Sequence, residues 1–167
     1  LRIFGEITAE RLGCLPEFFH MENEPNGWGS NYSPHGFTAQ DGTVYQTSEH
    51  YFQAQKFVKG SPSFKDVVAA ADPGAAKQLA TGGVHNGPTN KISNDWHGTE
   101  PGPIDSENCP FDPSRYNTHL KFLTYKDRVM VRALYYKFTQ NLSIKKKLMD
   151  TYPRPLIENT SKAYANN

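Results

Sequence analysis

The segment that most restricts the fold of this chain is LKFLTYKDRVMVRALYYKFTQN, at positions 120–141. Its apolar residues recur at spacings of three or four, at Phe122, Tyr125, Val129, Ala133 and Tyr136. In an α-helix this spacing places the side chains on one face, whereas a half-buried strand requires alternation. The segment therefore predicts a long helix that packs one apolar face against a core.

Shorter helices are predicted from residues that favour helix starts and stops. Thr47 or Ser48 offers an N-cap for a helix that runs to about Lys59-Gly60. Another begins with Ser61-Pro62, since proline suits the first helical position. Two more are expected, over PGAAKQLAT from Pro73 until Gly82-Gly83 stops it, and over SIKKKLMDT, capped by Ser143.

The remaining signals indicate a few short strands. LPEFFHM (15–21) and RPLIENT (154–160) are typical of extended segments, and FTAQDGTVYQ contains Asp41-Gly42, a turn pair that favours a hairpin. The chain lacks the alternation of strands and helices that builds a doubly wound sheet. We therefore predict a mainly α fold, that is, α+β with a few short strands.

Length and charge restrict the organisation and the partners. A chain of 167 residues predicts a single domain over positions 1–167. From about 83 to 116 the sequence is rich in Gly, Pro, Asn and Asp, which predicts a long irregular insertion. The 18 basic and 17 acidic residues nearly balance. This balance excludes a protein that coats duplex DNA by charge, but it is compatible with recognition of one nucleotide or a small anion.

The sequence carries no signature of a metal site, a dinucleotide cofactor or a membrane span. Cys14 and Cys109 lack a metal-type spacing, and the six histidines form no HxxxH or comparable pair. GxGxxG and GxxxxGK[ST] are absent, and no apolar run approaches ~18 residues. No secretory signal is visible. We predict an intracellular protein with no metal, no cofactor and no membrane partner.

A stripe of polar residues runs along the first of the shorter helices. Within TSEHYFQAQKF (47–57), Glu49, Gln53 and Lys56 follow at intervals of four and three, which places them on one face. Such a stripe is either a solvated surface or a catalytic stripe in a pocket. In the second case, Glu49 can stabilise a positive transition state, activate water or donate a proton. A desolvated Lys56 can attack a carbonyl-like carbon.

Other polar and aromatic residues allow competing interpretations. His50 follows Glu49 directly and so points about 100° away on a helix, which favours packing or capping. Trp96 either stacks on a base or packs within its loop. Met130 belongs to the core or to a pocket floor, and Lys145-Lys146-Lys147 predict a solvated helix face.

The TSEHYFQAQKF segment resembles the central motif of the NADAR/YbiA-like family. Further segments resemble family motifs in the same order, namely GSNYSPHGF (29–37), ADPGAAKQLA (71–80), YKDRVMVRALYYKFTQN (125–141) and PLIENT (155–160). The matches cover most of the chain from about Phe18 to Thr160. The resemblance implies a compact, mainly helical, single-domain YbiA-like fold and hydrolysis of an N-glycosidic bond.

The resemblance also implies a choice of substrates. Some members of the family look like enzymes that cleave phosphoribosylated intermediates of riboflavin synthesis, and others remove ADP-ribose from guanine bases of DNA or RNA. We expect the second activity, with ADP-ribose or ADP-ribosylated nucleic acid as the partner. The first activity is an alternative, as is a non-catalytic module that binds ADP-ribose or NAD.

Site residues are carried over by the same resemblance. It implies that Glu49 is the catalytic acid/base and that Lys56 is a pocket residue and a candidate covalent nucleophile. The site is expected where the Ser-Asn-Tyr loop meets the first central helix. The resemblance also implies that Asn31 and Tyr32 contact the ligand. Ser30, Gln53, Trp96 and Met130 are the other residues that we expect to bind it.

Parts of the family pattern are not visible in this sequence. The Gly-Arg that commonly follows the Ala-Lys helix is replaced by LATGG, and NTSKAYANN stands where an Asp…Trp-Gly segment is expected after Glu158. The family's tryptophan before the long helix matches Trp96 by its left context and Phe122 by its right context. The missing terminal segment motivates the non-catalytic alternative.

Overall fold

Five α-helices, one short 3-10 helix (Gly27–Gly29) and four short strands form the regular structure of the described residues. The computed structural model describes residues 17–20, 23, 25–81, 96–97, 104 and 124–158. The helices are α1 (Ser48–Ala54), α2 (Pro62–Val68), α3 (Pro73–Thr81), α4 (Tyr125–Gln140) and α5 (Leu142–Asp150). The strands are β1 (Glu17–Phe19), β2 (Phe37–Thr38), β3 (Val44–Tyr45) and β4 (Leu156–Glu158). The predicted mainly helical α+β fold is confirmed.

The chain divides into two compact units. The larger unit, residues 35–140, contains β2, β3 and α1 to α4. The smaller unit combines residues 1–34 with residues 141–167 and contains β1, α5 and β4. The single domain over 1–167 stays a prediction, and most of the predicted insertion at 83–116 lies outside the described residues. Over the described ranges, none of the helices is both long enough and apolar enough to cross a membrane.

Helix α1 lies at the centre of the larger unit, where it contacts α2, α3, α4 and β3. An aromatic cluster surrounds Tyr51 of this helix, with ring centroids 4.9 to 6.2 Å apart. Its other members are Phe37 from β2, Tyr45 from β3 and Tyr136 from α4. Buried aromatic rings dominate the energetics of a core. Contacts on several sides therefore fix the position of α1 and of its polar side chains.

The start of α1 matches the prediction, but its end does not. Thr47 is the N-cap, and its Oγ1 accepts a hydrogen bond from the His50 amide at 3.3 Å. The helix ends at Ala54 rather than near Lys59. The amide of Phe57 donates to the Ala54 carbonyl at 3.0 Å, a bond to the third residue back that tightens the last turn. This turn carries Phe57 into the core, where it is 3% exposed.

Helices α2 and α3 begin as the sequence predicts. Ser61 caps α2 by accepting a hydrogen bond from the Phe64 amide at 3.2 Å, with Pro62 as the first helical residue. At the start of α3, Asp72 Oδ1 accepts from the Ala75 amide at 2.8 Å. These caps satisfy amides that have no partner inside the helix.

Strands β2 and β3 form the predicted antiparallel hairpin, with Phe37 opposite Tyr45. Gly42 adopts φ +84° in the turn, a left-handed conformation that glycine tolerates best. On the other edge of β2, the Gln140 side chain pairs with the main chain of Thr38. Its Oε1 accepts from the Thr38 amide at 2.9 Å, and its Nε2 donates to the Thr38 carbonyl at 2.8 Å. The side chain thus takes the place of a third strand.

Helix α4 carries the predicted apolar face. It begins after Thr124, whose amide donates to Asp127 Oδ2 at 3.2 Å. Residues 120–123 of the predicted helix lie outside the described residues. The predicted residues that the structure describes are all buried, namely Tyr125, Val129, Ala133 and Tyr136. This face contacts α1 and β2.

In the smaller unit, β1 pairs in parallel with β4, and Phe18 lies opposite Ile157. This confirms extended structure in both predicted segments. Helix α5 has Asn141 at its N-cap position, so the prediction of Ser143 is wrong. The Lys145 amide donates to the Asn141 carbonyl at 3.0 Å, which closes the first turn two residues earlier than predicted. Lys145, Lys146 and Lys147 are exposed, as predicted.

Candidate functional site

Glu49 and Gln53 form a buried acid–amide pair on α1. Glu49 lies in the first turn and Gln53 one turn later, so both side chains project from the same face. Nε2 of Gln53 donates to Oε1 of Glu49 at 2.7 Å. Glu49 is only 7% exposed and Gln53 only 3%. At these two positions the stripe is buried, which contradicts the alternative of a solvated surface.

The bond to Glu49 also fixes the orientation of the Gln53 amide. An ionised carboxylate only accepts hydrogen bonds, so the amide nitrogen faces Glu49 and the amide oxygen faces another direction. Gln53 Oε1 is buried and receives no hydrogen bond within the described part of the chain. A buried acceptor without a donor is costly. The pair therefore offers one acceptor that a further hydrogen-bond donor would satisfy.

His50 anchors the start of α1. Its Nδ1 lies 2.9 Å from Thr47 Oγ1, and its Nε2 lies 3.2 Å from the carbonyl oxygen of Ala70. Because a carbonyl only accepts, Nε2 donates to Ala70, and in the neutral ring Nδ1 then accepts from the Thr47 hydroxyl. The ring is fully buried. The predicted packing and capping role of His50 is confirmed.

Lys56 lies just beyond the end of α1, beside two aromatic rings. Its Nζ is 5.7 Å from the centre of the Phe52 ring and 5.9 Å from that of Trp96. The two rings meet edge to face with their centroids 5.3 Å apart. The negative faces of aromatic rings attract a cation, so this setting stabilises the ammonium form of Lys56. Lys56 is half-buried.

Trp96 is tied to the start of α4. Its carbonyl oxygen accepts a hydrogen bond from the Lys126 amide at 3.2 Å, and its ring contacts Tyr125 edge to face at 5.6 Å between centroids. The indole is half-buried. Trp96 therefore packs against the start of α4 and lies beside Lys56. Its packing within its own loop and its stacking on a base both stay predictions.

The other predicted ligand-binding residues lie on α4 and in the smaller unit. Met130 is half-buried on α4. In the smaller unit, Ser30 is buried and its Oγ accepts a hydrogen bond from the Tyr32 amide at 3.2 Å, which shapes the loop around Asn31. Asn31 and Tyr32 are half-buried. The expected meeting of this loop with α1 stays a prediction.

The sequence patterns did not predict that two cationic side chains on α4 are buried. Lys137 is fully buried, and this burial lowers the pKa of its ammonium to about 8. Arg132 is 7% exposed and donates from Nη1 to the carbonyl oxygen of Ile104. Each residue lies four positions from a member of the apolar face, Lys137 from Ala133 and Arg132 from Tyr136. A helical projection that included charged positions would have placed both beside the core.

The chemistry available around α1 thus comes from a carboxylate, an amide, an ammonium and two aromatic rings. Among the residues described, no three or more His, Cys, Asp or Glu side chains are grouped so that they could hold a metal ion. A carboxylate can transfer protons or stabilise a cation, and an amine can attack an electrophilic carbon.

Comparison with known proteins identifies the family. A profile of the NADAR domain family matches residues 17–164. The chain belongs to the NADAR domain family. An N-glycosidase of Nostoc punctiforme is 30% identical over 145 residues, which cover 86% of this chain and 72% of that protein. The NMR structure of E. coli YbiA has a similar fold, with a TM-score of 0.59, 24% identity and coverage of 90% of this chain and 70% of that one.

Membership in the NADAR domain family confirms the resemblance inferred from the ordered motifs. The TSEHYFQAQKF segment of this NADAR domain supplies the Glu49–Gln53 pair, Lys56 and the ring of Phe52. The second ring comes from Trp96, which is distant in sequence.

Proposed function

We propose that this NADAR domain is an N-glycosidase that hydrolyses the bond between C1 of a ribose and a nitrogen of a base. The observation that carries the proposal is the buried Glu49 carboxylate held by Gln53 at 2.7 Å. A buried and fixed carboxylate is suited to charge stabilisation and proton transfer. The relative from Nostoc punctiforme, which is named an N-glycosidase, supports the same reaction class.

One route needs only Glu49 and water. As the C1–N bond lengthens, the base takes the bonding electrons and C1 acquires oxocarbenium character. An ionised Glu49 stabilises this positive charge. Water then bonds to C1, Glu49 accepts the proton that the water loses, and the departing base nitrogen receives a proton in exchange.

A second route adds Lys56 as a nucleophile. The ring oxygen takes the C1–O electrons and a proton, which leaves an imine between C1 and the base nitrogen. Neutral Lys56 adds to C1, Glu49 shuttles the protons, and the base leaves as an amine, so that a C1=N bond to Lys56 remains. Water hydrolyses this Schiff base and releases the sugar. We prefer this route for a guanine amine as the leaving group.

We propose ADP-ribosylated guanine in nucleic acid as the substrate. The Phe52 and Trp96 rings offer aromatic surface for a nucleobase, and base–aromatic stacking is a common means of binding single nucleotides. The near balance of charge suits recognition of one modified nucleotide. The alternatives are a phosphoribosylated pyrimidine of riboflavin synthesis and a non-catalytic module that binds ADP-ribose or NAD.

A release assay tests the proposal. ADP-ribosylated guanine oligonucleotide and the phosphoribosylated intermediates are offered to the wild type, to Glu49→Gln and to Asp66→Asn, which changes an exposed carboxylate of α2. We expect the wild type and Asp66→Asn to release ADP-ribose at similar rates and Glu49→Gln to be at least ~100-fold slower. Turnover of only the pyrimidine substrates would establish the first alternative. Tight binding of ADP-ribose without turnover of either would establish the second.

A further inference from the structure

The buried oxygen of Gln53 points to a specific contact with substrate. The amide nitrogen of Gln53 donates to Glu49, and its Oε1 receives no hydrogen bond from the residues that the structure describes. The oxygen can only accept, so its partner must carry an N–H or an O–H group. Because the side chain is 3% exposed, bulk water does not supply that partner freely.

The proposed reaction limits where the partner lies. In either route Glu49 acts within about 3–3.5 Å of the reacting atoms around C1. The Gln53 oxygen is attached to the same amide carbon as the nitrogen that contacts Glu49, so it lies beside the same region. On a ribose, the hydroxyl group nearest to C1 is the one on C2. A hydrogen bond to this hydroxyl strengthens as C1 becomes positive, which favours the transition state over the bound substrate.

We propose that Gln53 is a specificity-determining residue whose Oε1 accepts a hydrogen bond from the 2-hydroxyl of the scissile sugar. The domain then acts on ribosides and rejects 2-deoxyribosides. This inference rests on the proposed N-glycosidase function and deepens it. It covers both candidate substrates, because ADP-ribose and the phosphoribosylated pyrimidines present the same ribose 5-phosphate portion.

Selection of ribose over 2-deoxyribose would decide which bond is cleaved on an ADP-ribosylated guanine of DNA. Such a base would carry two sugars, the ribose of the ADP-ribosyl group and the 2-deoxyribose of the DNA strand. An acceptor that requires a 2-hydroxyl directs cleavage to the first sugar and spares the bond whose loss would leave an abasic site.

Kinetics on a matched pair of substrates test the proposal. The pair consists of an oligonucleotide with ADP-ribosylated guanine and its counterpart with 2-deoxyribose at the scissile position. We expect the wild type to favour the ribose substrate by at least ~100-fold in kcat/KM, since a site built to bind a hydroxyl rejects an analogue that lacks it. In Gln53→Met both rates fall, and the ratio falls below about 10-fold.

Two further variants separate specificity from packing. Gln55→Met is the matched control, because Gln55 is also buried but donates to Tyr45 Oη instead of Glu49, so its ratio stays at the wild-type value. Gln53→Glu keeps an acceptor oxygen but brings two carboxyl groups together. It retains the ratio, because an oxygen that can accept from the 2-hydroxyl is still present. A packing role alone predicts neither result.

Binding measurements separate this inference from the proposed function. Ribose 5-phosphate and 2-deoxyribose 5-phosphate are titrated by calorimetry into the wild type, Gln53→Met and Gln55→Met, after thermal unfolding has shown that each variant folds. A preference for ribose 5-phosphate that only Gln53→Met loses upholds the inference, even where the wild type turns over no substrate and the proposed function fails. Equal affinity for the two sugars, or a rate ratio unchanged in Gln53→Met, overturns it.

Discussion

At the scale of single residues, the main chemical question is whether Lys56 acts as a cation or as a neutral nucleophile. Its ammonium lies between 5 and 6 Å from the centres of two aromatic rings, at 5.7 and 5.9 Å. This contact favours the charged form, whereas attack on C1 requires the neutral amine. Lys56 therefore either binds substrate as a cation or gives up its proton when substrate displaces it from the rings.

Replacing Lys56 by arginine distinguishes the two roles. Arginine keeps a permanent cation over Phe52 and Trp96 but does not form a Schiff base. For a nucleophilic lysine we expect Lys56→Arg and Lys56→Ala to lose activity equally, by ~1000-fold or more. Single-turnover rates, with borohydride trapping of wild type and mass analysis, measure this.

The control for this experiment is Lys77→Arg, at an exposed position of α3. It should leave both the rate and the trapped adduct unchanged. Absence of an adduct at Lys56 together with full turnover by Lys56→Ala would rule out the Schiff-base route. The oxocarbenium route through Glu49 would then stand alone.

At the scale of elements, the starts of helices can be predicted from the sequence better than their ends. The caps at Thr47 and Ser61 act on amides within the next three residues, so the signal is local. The end of α1 depends on Phe57 reaching a core built by distant segments, which no local pattern encodes. Ser143 is not the cap of α5, because Leu142 already belongs to the helix.

In the candidate site, too, local contacts can be predicted from the sequence and contacts between distant segments cannot. The four-residue spacing of Glu49 and Gln53 predicts that they meet, and they do. The contact of Lys56 with Trp96 could not be predicted, because positions 83–95, which lead to Trp96, carry no periodic signal that would predict their path. The burial of Lys137 is also missed, since a charged residue is normally assigned to the surface.

Gln140 offers a test of how an element is held in place. The hairpin has only two residue pairs, and the Gln140 side chain bonds to both main-chain groups of Thr38. We expect Gln140→Ala to lower the free energy of unfolding by about 0.5–1.5 kcal/mol, because Thr38 is exposed and water replaces part of the loss. Hydrogen exchange of the Thr38 amide should become faster.

The matched control is Gln78→Ala, at an exposed position of α3. It removes a glutamine of the same size from a helix in the same unit and should leave the exchange of the Thr38 amide unchanged. Equal exchange rates at Thr38 in the wild type and Gln140→Ala would show that the hairpin does not depend on this side chain.

At the scale of the whole molecule, the smaller unit consists of two segments that are separate in the sequence, residues 1–34 and 141–167. The larger unit is formed by the residues between these segments. Strand β1 pairs with β4, so segments distant in sequence close the smaller unit. The larger unit contains the aromatic cluster and the buried Lys137. Its stability should therefore depend on pH through this lysine.

The direction of that dependence follows from the pKa of Lys137, about 8 in the folded protein against an ordinary value of 10.5. Below pH 8 both folded and unfolded chains hold the proton, and the cost of burying the charge is fully present. As the pH rises from 8 towards 10.5, the folded chain loses the proton first and the cost is relieved. Lys137→Met removes this dependence.

Between pH 8 and 10.5 we expect the free energy of unfolding of the wild type to rise, relative to that of Lys137→Met, by up to about 3 kcal/mol. The size follows because one pKa unit is worth ~1.4 kcal/mol. Urea unfolding followed by the helical circular dichroism signal measures it. Lys77→Met, which changes an exposed lysine, should run parallel to the wild type. A gap between wild type and Lys137→Met that is constant with pH would contradict the expectation.

The edge-to-face contact of Trp96 with Phe52, beside Lys56, also has an optical consequence. The chain has two tryptophans, so Trp28→Phe leaves a single indole fluorophore, adjacent to the amine in question. Indole emission responds to a nearby charge, and the loss of the ammonium proton that must precede attack by Lys56 changes that charge. Stopped-flow fluorescence of this variant would follow Lys56 in real time, without a label, during the step that separates the two routes.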